Sequence, residues 1–318
     1  MVDWESRIAF LILNYNCVNL TINNAHNIRM ISLFFEIVVV DNCSTDNSQY
    51  ILEEYLKGKE HTWLLSCAEN RGYASGNNHG LKFIEQQLIN VDYVVIINPD
   101  VSVFNPNVIK RMYDALIDDA ALAIITVQTI YNGTVNFPNV FGWKHYSKRA
   151  MVFGSSLIYT LFGGTLLGNW INPTLNYTTL LPNDQMVAYI DIAQGCFFMA
   201  KMKALTSVNY FDESTFLYFE EAILGKKIHK AGLRTGVLVD AYVQHNHKAK
   251  IERLVSKHNK LVDLGHFHRS QLYYIKYYSD TSALFKLTVK PLLQVDYYLK
   301  CALITVKHFM LSLFGKDE

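Results

Sequence analysis

Glu220 and Glu221 stand side by side in Phe211-Asp-Glu-Ser-Thr-Phe-Leu-Tyr-Phe-Glu-Glu221, directly ahead of a helical pattern that runs out at Ala231-Gly232. Carboxylates at a helix start are stabilised by its dipole, so capping is the plainest role for them. Their aromatic setting allows another: desolvation raises a carboxylate's pKa and makes it a usable general base. Two further acids end short apolar runs, Asp41 after Ile37-Val-Val-Val and Asp100 after Tyr93-Val-Val-Ile-Ile-Asn-Pro. Such runs read as buried parallel strands, and in open α/β sheets ligands bind outside the carboxyl ends of the strands. Asp41 and Asp100 therefore suit a nucleotide or metal–phosphate site. Asp46, in a turn rich in capping residues, reads as a helix cap.

Asn70-Arg-Gly-Tyr-Ala-Ser-Gly-Asn-Asn-His-Gly80 opens a helix. Its glycines permit close backbone approach, amides at the helix start face an anion, and Arg71 adds a fixed positive charge suited to a diphosphate. Gly72 and Gly76 do not form the dinucleotide fingerprint, and the lysine of a phosphate-binding P-loop is absent. Both points argue against a dehydrogenase or an NTPase. Asp191-Ile-Ala-Gln-Gly-Cys-Phe-Phe-Met-Ala200 reads as a strand with a glycine break.

The elements that must position these residues alternate. Apolar runs at Ile8–Leu13, Ile37–Val40, Trp63–Leu65, Val94–Ile97 and Leu122–Val127 are separated by helix-length segments, near residues 18–30, 46–57, 76–90 and 106–118. The last opens with Asn105-Pro106, a cap followed by proline. This β-α alternation predicts an α/β domain around a mostly parallel sheet.

The 318 residues carry a net charge of only +1. The split is uneven: residues 1–221 sum to −8 and residues 222–318 to +9. A basic, aromatic C-terminal part suits an anionic surface, either lipid headgroups or a diphosphate. No nucleic-acid-binding motif occurs, so a nucleic-acid partner is not expected. Five cysteines without a C-x-x-C pair, and acids where a signal peptide needs bases, suit a cytoplasmic chain. Residues 150–183 lack charge, yet the glycines, serines and threonines of Met151–Ile171 make a poor membrane span; the stretch reads as an apolar-lined loop. In Ser282–Phe314 lysines interleave with Leu, Phe, Tyr and Val, which suits an amphipathic helical pair on a membrane surface or at a homodimer contact.

In order and spacing these motifs resemble the family 2 inverting glycosyltransferases of GT-A fold, especially the rhamnosyltransferase-like branch that builds bacterial O-antigen and capsule. The matching residues are Leu13-Asn-Tyr-Asn16, Val40-Asp-Asn-Cys-Ser-Thr-Asp46, Asn70–Asn78, Asn98-Pro-Asp100, Gly195-Cys-Phe-Phe-Met199, Phe211-Asp-Glu213, Tyr218-Phe-Glu-Glu221 and His245. The resemblance implies that Tyr15 and Asp41 hold the nucleotide base and Arg71 the diphosphate, with Gly72, Asn77 and Asn98 completing the donor site. It puts Asp100 at the last acid of a D-x-D motif binding Mg²⁺ or Mn²⁺, with His245, and His247 second, beside the metal. Two departures stand out. Glu220-Glu-Ala-Ile-Leu224 replaces the usual Glu-Asp-x-Asp-Leu, which makes Glu221 the base and Glu220 an orienting residue, and Asn98 replaces the first D-x-D acid.

The expectation is thus a GT-A domain over residues 1–250 and a helical extension over 251–318. The domain would move a sugar from a nucleotide-sugar donor, dTDP-rhamnose or a UDP-hexose, to a saccharide acceptor, lipid-linked in surface polysaccharide synthesis. A nucleotidyltransferase would need a glycine- and lysine/arginine-rich N-terminal loop, which Ile8–Cys17 lacks. A non-catalytic partner subunit that binds the nucleotide sugar is the rival that the altered Glu-Glu-Ala-Ile raises.

Overall fold

All five apolar runs are strands in the computed structural model, which describes residues 4–103, 105–131, 141–162, 165, 180–246 and 256–314. In chain order the first part is β1 (Ile8–Asn14), α1 (Val18–Ile31), β2 (Glu36–Asp41), α2 (Ser48–Leu56), β3 (Thr62–Ser66), α3 (Tyr73–Gln87), β4 (Tyr93–Ile97), a two-residue β5 (Val101–Ser102), α4 (Asn107–Asp118) and β6 (Leu122–Tyr131). The polar punctuation acts as expected at α4, where Asn105 Oδ1 accepts from Asn107 N at 3.0 Å. The remainder is α5 (Lys148–Phe153), α6 (Leu157–Phe162), β7 (Val187–Ile190), β8 (Phe197–Lys201), α7 (Met202–Ser207), α8 (Glu220–Lys230), β9 (Arg234–His245), α9 (Lys257–Tyr277) and α10 (Ala283–Phe314).

The strands form one sheet in the order β3-β2-β1-β4-β8-β6-β9-β5, with β7 on β9. The first four are parallel, as the alternation predicts. Beyond them the sheet is mixed. β8 runs antiparallel to both β4 and β6, with Ile97 opposite Phe197, whereas β9 is parallel to β6. This reversal has a consequence for the site: the loop ahead of β8 arrives at the edge where β1, β2 and β4 deliver the loops that come after them. The sheet also curls, so that β5, three residues after β4, pairs with the end of β9 and sets Val101 opposite His245.

Successive side chains of a strand point to opposite faces, and both faces here are covered. Phe10, Ile12, Val39 and Ile97 pack with Ile28, Met112 and Leu116 on one side. Leu11, Val40 and Ile96 pack with Leu81, Ile84, Leu224 and Ile228 on the other. α3 lies very close to the sheet because it turns Gly76 and Gly80 toward it. A Cβ at Gly76 would fall 2.5 Å from Leu13 Cδ1, and one at Gly80 2.3 Å from Leu11 Cδ1.

Two compact units emerge. The sheet unit takes residues 1–144, 176–216 and 220–246; the helical unit takes 145–175, 217–219 and 247–318. Within the helical unit, Tyr146, Phe219, Phe267 and Tyr274 form a ring cluster with centroids 5.3–5.4 Å apart. Tyr218 donates its hydroxyl to Asp263 at 2.6 Å. Tyr218 and Phe219 have φ of 76° and 71°, a left-handed backbone that bulky residues hold only under strain. Residues 283–314 form one continuous helix that includes Pro291, where the sequence suggested a pair. The uncharged stretch after Ala150 begins with the two short helices α5 and α6, and most of the remainder, like His247, lies outside the described residues. Among the described residues no helix is long and apolar enough to cross a membrane.

Candidate active site

The site residues gather at the edge of the sheet where β1, β2 and β4 end. At β2, Asp41 is completely buried and both its carboxylate oxygens are engaged. Asn14 Nδ2 donates to Oδ1 at 2.7 Å and Ser44 Oγ at 2.6 Å, while Ser44 N donates to Oδ2 at 3.0 Å. Asp41 thus braces the ends of β1 and β2 against each other. Next to it Tyr15 is 41% exposed, and Asn16 turns the chain with φ of 54°.

The glycine-rich segment packs against the protein itself. Gly72, with φ of 95°, is the residue before α3, and a Cβ there would lie 2.1 Å from the carbonyl oxygen of Phe216. That carbonyl accepts from Tyr73 N at 3.0 Å. Asn78 clamps a neighbouring loop, donating to Phe211 O at 3.0 Å and to Glu213 at 2.9 Å, and accepting from Phe211 N at 3.1 Å. Asn77 is buried and donates to Tyr73 O at 2.9 Å, and its Oδ1 finds no hydrogen-bond partner among the described residues. Arg71 is exposed, 3.7 Å from Glu69.

Asn98, Pro99 and Asp100 form the crossing from β4 to β5. Asn98 N donates to Cys196 O at 2.8 Å, and Asn24 Nδ2 holds Asn98 O at 3.0 Å. The β5–β9 pairing brings Asp100 to His245, with Oδ2 and Nε2 3.1 Å apart. Burial pulls the His245 ring toward neutrality, but hydrogen bonds to Asp100 and Cys196 outweigh it, and its pKa is raised to about 10. The contact with Asp100 thus favours the protonated form of the ring.

Glu221 reaches the same loop from the opposite direction. Its carboxylate lies against Gly195, where an added Cβ would come within 2.0 Å of Oε1. Tyr73 donates its hydroxyl to Gly195 O at 2.7 Å. Burial, and then the charge of Glu221, push that phenol well above its ordinary value, so it stays protonated. Glu220 is only 2% exposed, and Glu221 is partly open. Residues 194–196 therefore sit between the Asn98–Asp100 crossing on one side and Glu221 with Tyr73 on the other. Gly195, Cys196 and Tyr73 carry no role in the sequence reading. The signals were there, in a glycine directly before a buried strand and a tyrosine inside the glycine-rich motif.

Residues 10–169, half of the chain, match the Glycosyl transferase family 2 domain. The chain belongs to that family. A curated relative, the low-salt glycan biosynthesis hexosyltransferase Agl10 of Haloferax volcanii, is 22% identical over 262 residues, covering 80% of this chain and 72% of that protein. Among solved structures the fold is similar to the mannosyltransferase PcManGT of Pyrobaculum calidifontis in complex with GDP-Man and Mn²⁺. That match has a TM-score of 0.54 at 13% identity and covers 96% of this chain and 75% of the other. It is also similar to GalNAc-T7 with UDP, GalNAc and Mn²⁺, at a TM-score of 0.54 and 13% identity over 75% of this chain and 43% of that one. This family 2 chain is accordingly a glycosyltransferase of GT-A fold.

Proposed function

We propose that this family 2 enzyme transfers a hexose, with inversion, from its nucleotide-sugar donor to a saccharide hydroxyl, with Glu221 as general base. The observation that carries the reading is the meeting of Asp100, His245 and Glu221 around residues 194–196. Glu221 fits the base because it is the more exposed of the adjacent pair and rests on a glycine that leaves room for it. It takes the proton of the attacking hydroxyl, so that the new bond forms on the face opposite the leaving nucleoside diphosphate. Glu220, buried at the same helix start, orients it.

On the donor side, Tyr15 offers an exposed ring for the base, and Asp41 acts on the base through the loop it braces. Arg71, exposed at the start of α3, meets the diphosphate, and Gly72, Asn77 and Asn98 shape the backbone around it. A divalent cation, Mg²⁺ or Mn²⁺, fits Asp100 and His245. A hard carboxylate oxygen and a ring nitrogen converge there; the ring would have to give up its proton to offer that nitrogen, and diphosphate oxygens would complete the ligand set. When bound, such an ion offsets charge developing on the leaving group. The Mn²⁺ held by PcManGT and GalNAc-T7 agrees with this reading.

The glycan-building role of Agl10 supports a saccharide acceptor. The motif resemblance favours dTDP-rhamnose, then UDP-hexoses, as donor, and a lipid-linked acceptor in surface polysaccharide assembly. A panel of nucleotide sugars, each assayed for hydrolysis and for transfer, tests the proposal. Turnover of one hexose donor, stimulated by Mn²⁺ and abolished by EDTA, is the expected result. Binding of a nucleoside diphosphate without turnover of any sugar would instead mark a non-catalytic partner subunit.

A further inference from the structure

α10 is about 48 Å long, and its two sides are put to opposite uses. On the inner side Val289 and Leu293 are buried. Asp296, the one acid of the helix, is also turned inward, accepting from Leu157 N at 2.7 Å and pairing with Lys300 at 2.7 Å. Lys300 donates in addition to Ser155 O, and Lys286 to Lys276 O at 2.9 Å. Two of the four lysines and the only acid thus serve the helical unit itself.

The outer side is apolar along the whole helix. Leu284, Leu287, Val295, Leu299, Val306 and Phe309 are all large, half or more exposed, and project within an arc of roughly 120° at 100° per residue. No Asp, Glu, Lys or Arg falls inside that arc. Single exposed leucines are ordinary on a protein surface, but a continuous stripe of this length marks an interaction face. Lys290, exposed, lies about 60° beyond one edge of the stripe, whereas Lys307, also exposed, shares the azimuth of Val289. Lys290 can run its aliphatic stem along the stripe and leave its ammonium at a polar boundary.

We infer that this face lies on an anionic lipid surface, with the axis of α10 in the membrane plane. The proposal goes beyond the transfer reaction and does not depend on it. Charge selects this occupant over a second copy of the chain. α10 carries four lysines against one aspartate, so pairing two such helices brings like charges together, whereas acidic headgroups attract Lys290 beside the stripe while the stripe enters the acyl boundary. Crossing the bilayer is a different matter, since no helix among the described residues is apolar enough to do so.

The test is flotation of the full chain with vesicles of phosphatidylcholine alone and with added phosphatidylglycerol, at low and high salt, beside light scattering for oligomeric state. The expected result is binding to the anionic vesicles, weakened by salt. The double variant L287D/V306D should lose at least tenfold in affinity while keeping its thermal melting temperature and its nucleoside diphosphate binding, because both positions are exposed. Failure of the wild-type chain to float with either vesicle overturns the proposal, as does undiminished binding of L287D/V306D. A dimer that this variant dissolves, with no vesicle binding in the wild type, gives the face to a second copy. Equal, salt-independent binding to neutral vesicles overturns the assignment to anionic lipid.

Discussion

The two sides of the site are built from similar-looking sequence and end in opposite states. At β2, Asp41 is fully enclosed and spends its oxygens on Asn14 and Ser44. At the β4–β5 crossing, Asp100 remains about a fifth exposed and faces His245. Both aspartates close an apolar strand, so sequence alone treats them alike. The difference lies in where the chain goes on leaving each strand. After β2 a turn folds back and satisfies the carboxylate locally, whereas after β4 the chain crosses to β9 and meets a partner from far away. The first side is a closed scaffold, and the second leaves its carboxylate partly open.

Substitutions should separate the two sides, and the largest effect belongs to the scaffold. Asp41→Ala takes an acceptor from the buried Asn14 Nδ2, which keeps only Ser44 Oγ, and from the half-buried Ser44 N and Oγ, so urea unfolding should show a loss of about 2–3 kcal/mol. Asp100→Asn, by contrast, still offers His245 an amide oxygen and lets the ring shed its proton, so its cost should be the smaller of the two. Equal costs for the two would erase the distinction.

On the reacting side, Glu221→Gln keeps size and hydrogen bonding but removes basicity. Turnover should fall about 100-fold or more, with donor affinity little changed. Glu220→Gln should instead lower stability, since that side chain is buried. If Glu220→Gln abolishes transfer in a folded protein and Glu221→Gln does not, the two roles are reversed.

Gly195→Ala is a smaller probe of the same geometry. Its Cβ would displace the Glu221 carboxylate, and kcat should drop about tenfold while KM for the donor and the melting temperature hold. For Asp100→Asn, calorimetry with a nucleoside diphosphate should show most of the gain from Mn²⁺ removed, a loss of about tenfold, with His245→Ala showing less. Unchanged affinity in EDTA would take the metal off this side altogether. Smallest of all, Tyr15→Ala should weaken donor binding a few-fold through lost stacking, at about 1 kcal/mol.

The first four strands and their helices were legible because each is a local signal, an apolar run closed by polar capping residues. β8 was visible as a strand, but its direction was not, since antiparallel placement between β4 and β6 depends on packing far along the chain. The Asp100–His245 pair came only from the motif resemblance and from no local signal, because its partners depend on β5 finding the end of β9. Gly72 was recognisable as a position that needs glycine, yet its tight neighbour is Phe216 of the protein itself. The turn ahead of α8 left no trace at all. Tyr218 and Phe219 adopt a left-handed backbone without the glycine or asparagine that announces one, because the aromatic cluster around them holds the strain.

The dependence on β9 also fixes when the site can exist during folding. Asp41, Asn14 and Ser44 lie within about thirty residues of one another, so that corner can form as soon as the first β-α-β unit docks. Asp100 and His245 are 145 residues apart, and closing a loop of that length costs about 4 kcal/mol in chain entropy before any contact repays it. A nascent chain released at residue 200 would hold the Asp41 corner nearly finished and lack the Asp100–His245 pair. That pair is assembled last, when β9 adds its end to the sheet, and until then an exposed parallel sheet lacks the strands that shield its edge.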